Sequence, residues 1–259
     1  MTEQVLAEVQ VPFFDVADHL LKFSLGACRF QIRRGQQADW VAGTYSHPED
    51  LLPLKIEQQG GTIHIQQEKK LGGFTGIFNK QYPELKLTLG TAKPYALHFS
   101  GGAHEADLDL GGLPITGLKL NQGAGKISIN FSSVNPQRLG NIKIESGAVE
   151  LNMKNLNNAN FETLELDGGA SSYKLDFGGT LQRDANVKIN VGAASVKLVI
   201  PDPVATKITA NSTMGSVNLG EGFTKRDGVI CNQAALDGKS PVLEVKITIA
   251  LGSLEITSV

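Results

Sequence analysis

Residues 117–153 read GLKLNQGAGKISINFSSVNPQRLGNIKIESGAVELNM and contain two copies of one pattern. Each copy has a run of alternating apolar residues, then the small pair Gly-Ala, then a second alternating run. Alternation with a period of two is typical of a β-strand that buries one face. The pattern therefore predicts strands that recur along the chain at the spacing of the Gly-Ala pair.

The Gly-Ala pair recurs in the middle of the chain at intervals of 21 to 24 residues. Its copies are Gly102-Ala103, Gly123-Ala124, Gly147-Ala148, Gly169-Ala170 and Gly192-Ala193, with an early copy at Gly26-Ala27 and weaker ones at Met214-Gly215 and Leu251-Gly252. A single coil cannot bury its apolar face alone, whereas stacked coils enclose a core between two parallel sheets. We therefore expect an all-β solenoid with about 22 residues in each coil.

The same pattern predicts how the chain is divided. We expect one β-solenoid domain over residues 1–259, with irregular coils and a hairpin in 1–100, regular repeats in 101–220 and cap strands in 221–259. The segment KIEQQGGTIHIQ predicts the hairpin, with Gly60-Gly61 at its turn. High glycine content, at 29 residues, agrees with many short strands and tight turns.

Bulk properties exclude several functions. The net charge of −2 gives no broad electrostatic footprint for nucleic acid. The sequence has no run of about 18 apolar residues, so it predicts no membrane span. The acidic start, MTEQVLAEVQ, does not resemble a secretory signal, so a cytoplasmic location is expected if Met1 is the native start. Cys28 and Cys231 form neither a disulfide framework nor a metal motif, and we expect both thiols to be reduced and Cys28 to be buried.

Chemical motifs are weak throughout. The segment GAGK at 123–126 lacks the upstream glycine of a phosphate-binding loop. Asp107 and Asp109 resemble a DxD metal motif, but no further oxygen ligands stand near them in the sequence. The five histidines lack metal-ligand spacing. We therefore expect no catalytic, cofactor-binding or metal-binding residues and no enzymatic activity.

Two surfaces are candidates for contacts. Outward positions on successive strands predict a ladder of Lys119, Lys143, Glu165 and Lys188, which is either a solvated face or a docking stripe. The glycine-rich segment KKLGGFTGIFNKQY carries Phe74, Phe78 and Tyr82, which either cap one end of the core or form an exposed contact loop.

Two segments carry a family resemblance. LKFSLGACRFQIRRG (residues 21–35) and YPELKLTLGTAKPYALHFSGGAHEADLDLGGLPITGLKLNQGAGKISINF (residues 82–131) resemble toast-rack domains of LiaF-like and phage-shock-type cell-envelope proteins, and also adhesin-type β-helix domains. The resemblance covers roughly residues 20–210. It implies a right-handed, single-stranded parallel β-helix placed outside the cytoplasmic membrane, with no catalytic residues.

Together these observations predict a non-catalytic interaction or scaffold module of the cell envelope, acting in envelope-stress sensing or regulation. The expected partners are proteins, and open solenoid ends provide a route to homo-oligomers. Two alternatives stay open. One is an adhesin-like structural spacer. The other is a polysaccharide-active β-helix enzyme, which would need carboxylates from adjacent coils in a groove.

Overall fold

The computed structural model describes residues 4–35, 39–48, 53–67 and 82–259, and this part of the chain is almost entirely β. The strands are β1 (Gln4–Pro12), β2 (Leu20–Leu25), β3 (Arg29–Arg34), β4 (Asp39–Pro48), β5 (Leu54–Gln59), β6 (Thr62–Gln67), β7 (Glu84–Leu89), β8 (Tyr95–Asp109), β9 (Ile115–Asn130), β10 (Leu139–Lys154), β11 (Phe161–Gly168), β12 (Ser171–Asp176), β13 (Ala185–Ile200), β14 (Ala205–Leu219), β15 (Phe223–Arg226), β16 (Val229–Asn232) and β17 (Val242–Ser258). A 3-10 helix covers Leu156–Ala159, and the short helix α1 covers Gln233–Leu236. The expectation of an all-β solenoid is confirmed.

The long strands each have two arms that meet at the small-residue pair. In β9, Leu118 and Leu120 are buried before the pair, and Ile127 and Ile129 are buried after it. The buried positions thus change from even to odd numbers, which keeps both arms facing one core. We call the arms before the pairs sheet A and the arms after them sheet B. The two predicted strand series are therefore, in most copies, two arms of one continuous strand.

Neighbouring copies pair in parallel and in register. In sheet A, Leu118 is opposite Ile142, Ile142 is opposite Leu164, and Leu164 is opposite Val187. In sheet B, Ile127 is opposite Leu151 by the same pairing of β9 with β10. Equivalent apolar positions therefore stack on one another, and the core of the solenoid is continuous.

The N-terminal part joins the same two sheets by a different route. Sheet A continues from β8 through β2 and β6 to β5, and sheet B continues from β8 through β3, β7 and β4 to β1. The outer strands β1, β4 and β5 pair antiparallel. The predicted hairpin is confirmed, since β5 and β6 flank a turn in which Gly60 has φ +56°.

The C-terminal strand is not where the repeat order places it. The sequence predicts that 221–259 caps the end of the solenoid. Instead β17 lies between β13 and β14, parallel to both, and only β15, β16 and α1 lie beyond β14. The physical reason is burial, because β17 alternates strictly along both arms and its inward side chains from Leu243 to Ile256 are almost completely buried.

Glycine at the pairs is required by close stacking. A Cβ on Gly147 would lie 2.4 Å from the carbonyl oxygen of Gly123, and a Cβ on Gly123 would lie 2.7 Å from that of Gly102. A Cβ on Gly169 would likewise meet the Gly147 oxygen at 2.7 Å. Each coil therefore approaches the next more closely at this corner than a side chain allows.

Candidate interaction surfaces

The predicted ladder exists on the outer face of sheet A. Lys119 lies opposite Lys143, Lys143 opposite Glu165, and Glu165 opposite Lys188. All four side chains are partly or fully exposed. The alternation of residues along each strand positions them, because their neighbours in sequence point into the core. The register of the ladder is as predicted, and its role in contacts stays a prediction.

The structure extends this ladder in both directions. Beyond Lys119 it continues through His98, Lys22 and His64, and beyond Lys188 it continues to Lys246. The sequence repeat could not reveal the extension through His98 and Lys22. These two residues are 76 positions apart in the sequence, and their strands become neighbours only through parallel pairing in the fold. The sequence did contain one signal, since Lys22 lies between Leu21 and Phe23, which are apolar and buried, and so had to point outward.

Charge compensation differs along the ladder. The Lys143 ammonium lies 2.8 Å from the Glu145 carboxylate, and the hydrogen bond and charge of each group raise the pKa of Lys143 and lower the pKa of Glu145. Among the described residues, no carboxylate lies within ion-pair distance of Lys22 or Lys119. The N-terminal half of the ladder therefore carries two lysines without an ion-pair partner, although the charge of Lys119 contributes to the lowered pKa of Glu145.

His98 lies between these two lysines. Partial burial, followed by the charges of Lys22 and Lys119, lowers the pKa of His98 below its usual value. The three residues border an open depression of about 170 Å³ that also includes Ser24, Ser100 and Asn121. The Ser24 hydroxyl is 2.8 Å from Nε2 of His64 and 3.4 Å from the Ser100 hydroxyl. This arrangement is a cationic, hydroxyl-lined hollow.

The predicted contact loop is only partly within the described residues. Phe74 and Phe78 lie outside them. Tyr82 is 52% exposed, which does not fit a core-capping role for that side chain. A contact role for the three residues stays a prediction.

A second candidate surface is the open end of sheet B, which is one of the solenoid ends expected to allow homo-oligomers, although the sequence did not predict which strand forms it. The second arm of β14 pairs with β17 on one side, and no described strand pairs with its other side. Val217 and Leu219 stand opposite the buried Leu254 and Ile256, yet each is 38% exposed. The core therefore reaches the surface at this end of the solenoid.

The two aspartates of the DxD pattern have structural partners. Asp107 forms an ion pair with Arg33, which also donates to the Asp107 backbone oxygen at 2.8 Å. Asp109 accepts hydrogen bonds from the backbone amides of Gly111 and Ser132 at 3.0 and 3.3 Å. In the described residues, no three His, Cys, Asp or Glu side chains are grouped so as to hold a metal ion.

Two carboxylates do come from adjacent coils, as a polysaccharide-active enzyme would need. Glu145 lies opposite Asp167 on the outer face of sheet A. However, the Lys143 ammonium engages Glu145, and Asp167 accepts from the Asn190 amide at 2.9 Å. A general acid needs a raised pKa, whereas the pKa of Glu145 is lowered. The pair therefore lacks the electrostatics of a glycosidase site.

The cysteines are both free. Cys28 is 3% exposed and belongs to the core, as predicted, and burial raises its pKa to about 12. A thiol with such a pKa is hardly ever the reactive thiolate, which excludes Cys28 as a nucleophile. Within the described ranges, the structure has no helix with the length and hydrophobicity needed to cross a membrane.

Comparison with solved structures finds similar chains over nearly the whole length. A candidate cell adhesion protein from Clostridium sporogenes is 18% identical, with a TM-score of 0.49 over 99% of this chain and 100% of that one. A candidate adhesin from Bacteroides fragilis is 10% identical, with a TM-score of 0.46 over 98% and 97%. A candidate lipid-binding protein from Parabacteroides distasonis is 14% identical, with a TM-score of 0.40 over 99% and 96%. No curated protein matches the sequence significantly.

Comparison with family models identifies the domain. The model described as the N-terminal domain of toast_rack, DUF2154, matches residues 3–154 and, in a second overlapping match, residues 134–199. The two matches span most of the chain and include every Gly-Ala pair. They agree with the resemblance of residues 21–35 and 82–131 noted above. The chain therefore belongs to the toast-rack family, as a member with the N-terminal toast-rack domain.

Proposed function

We propose that this chain is a non-catalytic interaction module of the cell envelope that assembles through the open end of its solenoid. The observation that carries the proposal is the uncovered second arm of β14, where Val217 and Leu219 continue the core but remain exposed. An added strand would bury both side chains and satisfy the free edge of the sheet.

The edge lacks the charges that usually protect such strands. Residues 210–219, ANSTMGSVNL, contain no charged side chain. By contrast, β5 contains Lys55 and Glu57, and β15 contains Lys225 and Arg226. Charged residues on edge strands prevent pairing with other chains, so their absence here favours pairing.

The occupant that fits is a second copy of the same chain. Two uncharged β14 edges can pair antiparallel about a two-fold axis without charge repulsion. That pairing would place the exposed apolar side chains of both copies, Met214 included, in one shared interface. The proposal therefore predicts a symmetric dimer.

The test is the mass of the protein in solution, measured by sedimentation equilibrium over a wide range of concentration. The wild-type chain should be dimeric at high concentration. Val217→Lys should be monomeric throughout, because it places an ammonium on the core-facing side of the edge. Asn218→Lys is the matched control, since it adds the same charge to the same strand on its outward face and should leave the dimer intact.

Circular dichroism should show that all three proteins are equally folded, since Val217 is already partly exposed. A wild-type chain that is monomeric at every concentration would refute the dimer. A dimer that both lysine variants leave unchanged would also refute it, because the interface would then lie elsewhere.

The envelope location rests on membership of the toast-rack family, which accompanies envelope proteins. It is tested by tagging the chain in its own genomic context and adding a protease to cells. The layers outside the cytoplasmic membrane are permeabilised, and the cytoplasmic membrane is left intact. Degradation of the tagged chain while a cytoplasmic marker stays intact is the expected result. Protection equal to that of the cytoplasmic marker would contradict the proposal.

A role in envelope-stress regulation is the finer form of the same proposal. Deleting the gene should change the response of the cell to agents that damage the envelope, and restoring the wild-type chain should reverse the change. An unchanged stress response in the deletion strain would leave the adhesin-like spacer as the better interpretation.

The coil geometry belongs to the proposal as well. We infer that the copies wind in a right-handed sense, because connections between parallel strands of one sheet are almost always right-handed. The coil length of about 22 residues is supported by the stacking of Ile142 on Leu118 and of Leu164 on Ile142. A crystal structure with a left-handed path between the sheets would contradict it.

A further inference from the structure

We propose that Lys22, His98 and Lys119 form a binding site for a phosphate group on the outer face of sheet A. This site goes beyond the proposed assembly function, and it lies on different strands from the β14 edge. In the hollow that these residues border, lysines without an ion-pair partner, an imidazole and hydroxyl groups converge.

The first support is geometry. Lys22, His98 and Lys119 occupy the same register position on the neighbouring strands β2, β8 and β9. Adjacent strands are about 4.8 Å apart, so the two lysine backbones are about 10 Å apart with His98 midway between them. Both flexible ammonium groups can therefore reach one anion that sits over the imidazole.

The second support is the shape of the hollow. Along β8 the neighbours of His98 on the outer face are Ala96 and Ser100, and along β9 a neighbour of Lys119 is Gly117. These small residues leave the space into which the long side chains open. Ser24 and Ser100 border the hollow with hydroxyls, which donate hydrogen bonds to phosphate oxygens.

The third support is the charge balance. Like charges on adjacent strands destabilise a sheet unless something compensates them. At Lys143 the compensation is Glu145, at 2.8 Å. Around His98, no acidic side chain lines the hollow within the described residues. A bound anion would supply the missing negative charge and form charge-assisted hydrogen bonds to both lysines.

Protonation of His98 couples the site to pH. The groups that face it are Lys22 from β2 and Lys119 from β9, while Asp18 and Lys93 line an adjoining hollow. In the free protein these surroundings lower the pKa of His98, chiefly through burial. An anion favours the protonated ring, so binding should strengthen as the pH falls from about 8 to about 5.5. Sulfate is the right probe for this effect, because its own charge is constant in that range.

The binding test is calorimetric titration of the full chain with inorganic phosphate, with the His98 ring signals followed by NMR. The double variant Lys22→Gln/Lys119→Gln should bind at least about tenfold more weakly, since it removes two charge-assisted contacts at a partly exposed site. Lys22→Arg/Lys119→Arg should retain binding, because it keeps both charges.

The matched control is Lys188→Gln/Lys246→Gln. These lysines lie on the same ladder, directly opposite each other, but they are exposed and border neither hollow. The control removes the same net charge and should bind phosphate like the wild type. Equal weakening in both double glutamine variants would overturn the proposal, because it would show a general effect of surface charge. Wild-type affinity in Lys22→Gln/Lys119→Gln would overturn it as well.

Vesicles distinguish the source of the phosphate group. If the ligand is a lipid headgroup, phosphatidylglycerol vesicles should bind the wild type but not Lys22→Gln/Lys119→Gln, and phosphatidylcholine vesicles should bind neither. If the ligand is a phosphate that is not in a membrane, inorganic phosphate should show the dependence on the two lysines and the vesicles should not. The proposal fails if neither probe shows that dependence. Because the dimer test uses β14 variants, its failure and the failure of this test are separate results.

Discussion

Replacing Gly147 with alanine tests the close stacking of coils at the Gly-Ala corner. The added Cβ would lie 2.4 Å from the Gly123 carbonyl oxygen and 3.4 Å from its carbonyl carbon, both backbone atoms. An ordinary carbon–oxygen contact is about 1 Å longer, so the two coils must separate locally. Overpacking of this kind costs about 1–3 kcal/mol of the free energy of unfolding.

The matched control lies in the same strand. A Cβ on Gly140 would meet nothing nearer than the Thr116 carbonyl oxygen at 4.0 Å. Gly140→Ala should therefore stabilise the protein by about 0.4–1 kcal/mol, because alanine restricts the unfolded chain. Both glycines are in β10, so the comparison isolates the close approach from the change in backbone entropy.

The assay is urea unfolding followed by far-ultraviolet circular dichroism, with hydrogen exchange to locate the effect. A solenoid can open locally, so exchange should speed up most in β9 and β10 around the corner. If Gly147→Ala were as stable as Gly140→Ala, the steric explanation of the repeat would be wrong.

Three further outcomes are expected. Leu151→Asp should prevent folding, because it buries a carboxylate in a position that is 1% exposed. A soluble Leu151→Asp protein with a wild-type circular dichroism spectrum would disprove the inward position of Leu151. The double variant Asp107→Ala/Asp109→Ala should keep the wild-type stress response of cells, with at most a small loss of stability from the Arg33 pair and the loop hydrogen bonds. Loss of that response in a folded double variant would show that the two aspartates have a functional role. Cys28 should resist thiol reagents at about pH 8 in the folded protein and react in denaturant, because it is buried and its pKa is about 12. Rapid labelling of Cys28 in the native chain would contradict its burial and its raised pKa.

Local patterns made the fold largely predictable. Period-two alternation identified inward positions such as Leu118 and Leu151, which are buried because a strand can hide only one face. The spacing of the glycines predicted which copies stack, and the pairing of Ile142 with Leu118 follows from it. The ladder from Lys119 to Lys188 was predictable for the same reason, since outward positions of stacked copies must align.

Long-range order was not predictable from those patterns. The corner pattern gives no preference between stacking β14 or β17 on β13, because Met214-Gly215 and Leu251-Gly252 are both weak copies of the Gly-Ala pair. The inward side chains separate them, since β17 has Leu243, Ile247 and Ile249 where β14 has Thr206, Ala210 and Ser212. A strand placed between two neighbours buries its inward side chains fully, so the more apolar β17 gains more from that position. That choice creates the open edge on which the proposed function rests.

The amino-acid sequence by itself determined the strands, their buried faces and the corner glycines, because these depend on residues close together along the chain or on a regular repeat. The tertiary structure alone decided which distant strands become neighbours. It placed Lys22 beside His98 across 76 positions of the sequence, and it put β17 inside the solenoid rather than at its end. Strand pairing depends on the total burial of the whole core, and no local pattern encodes that quantity.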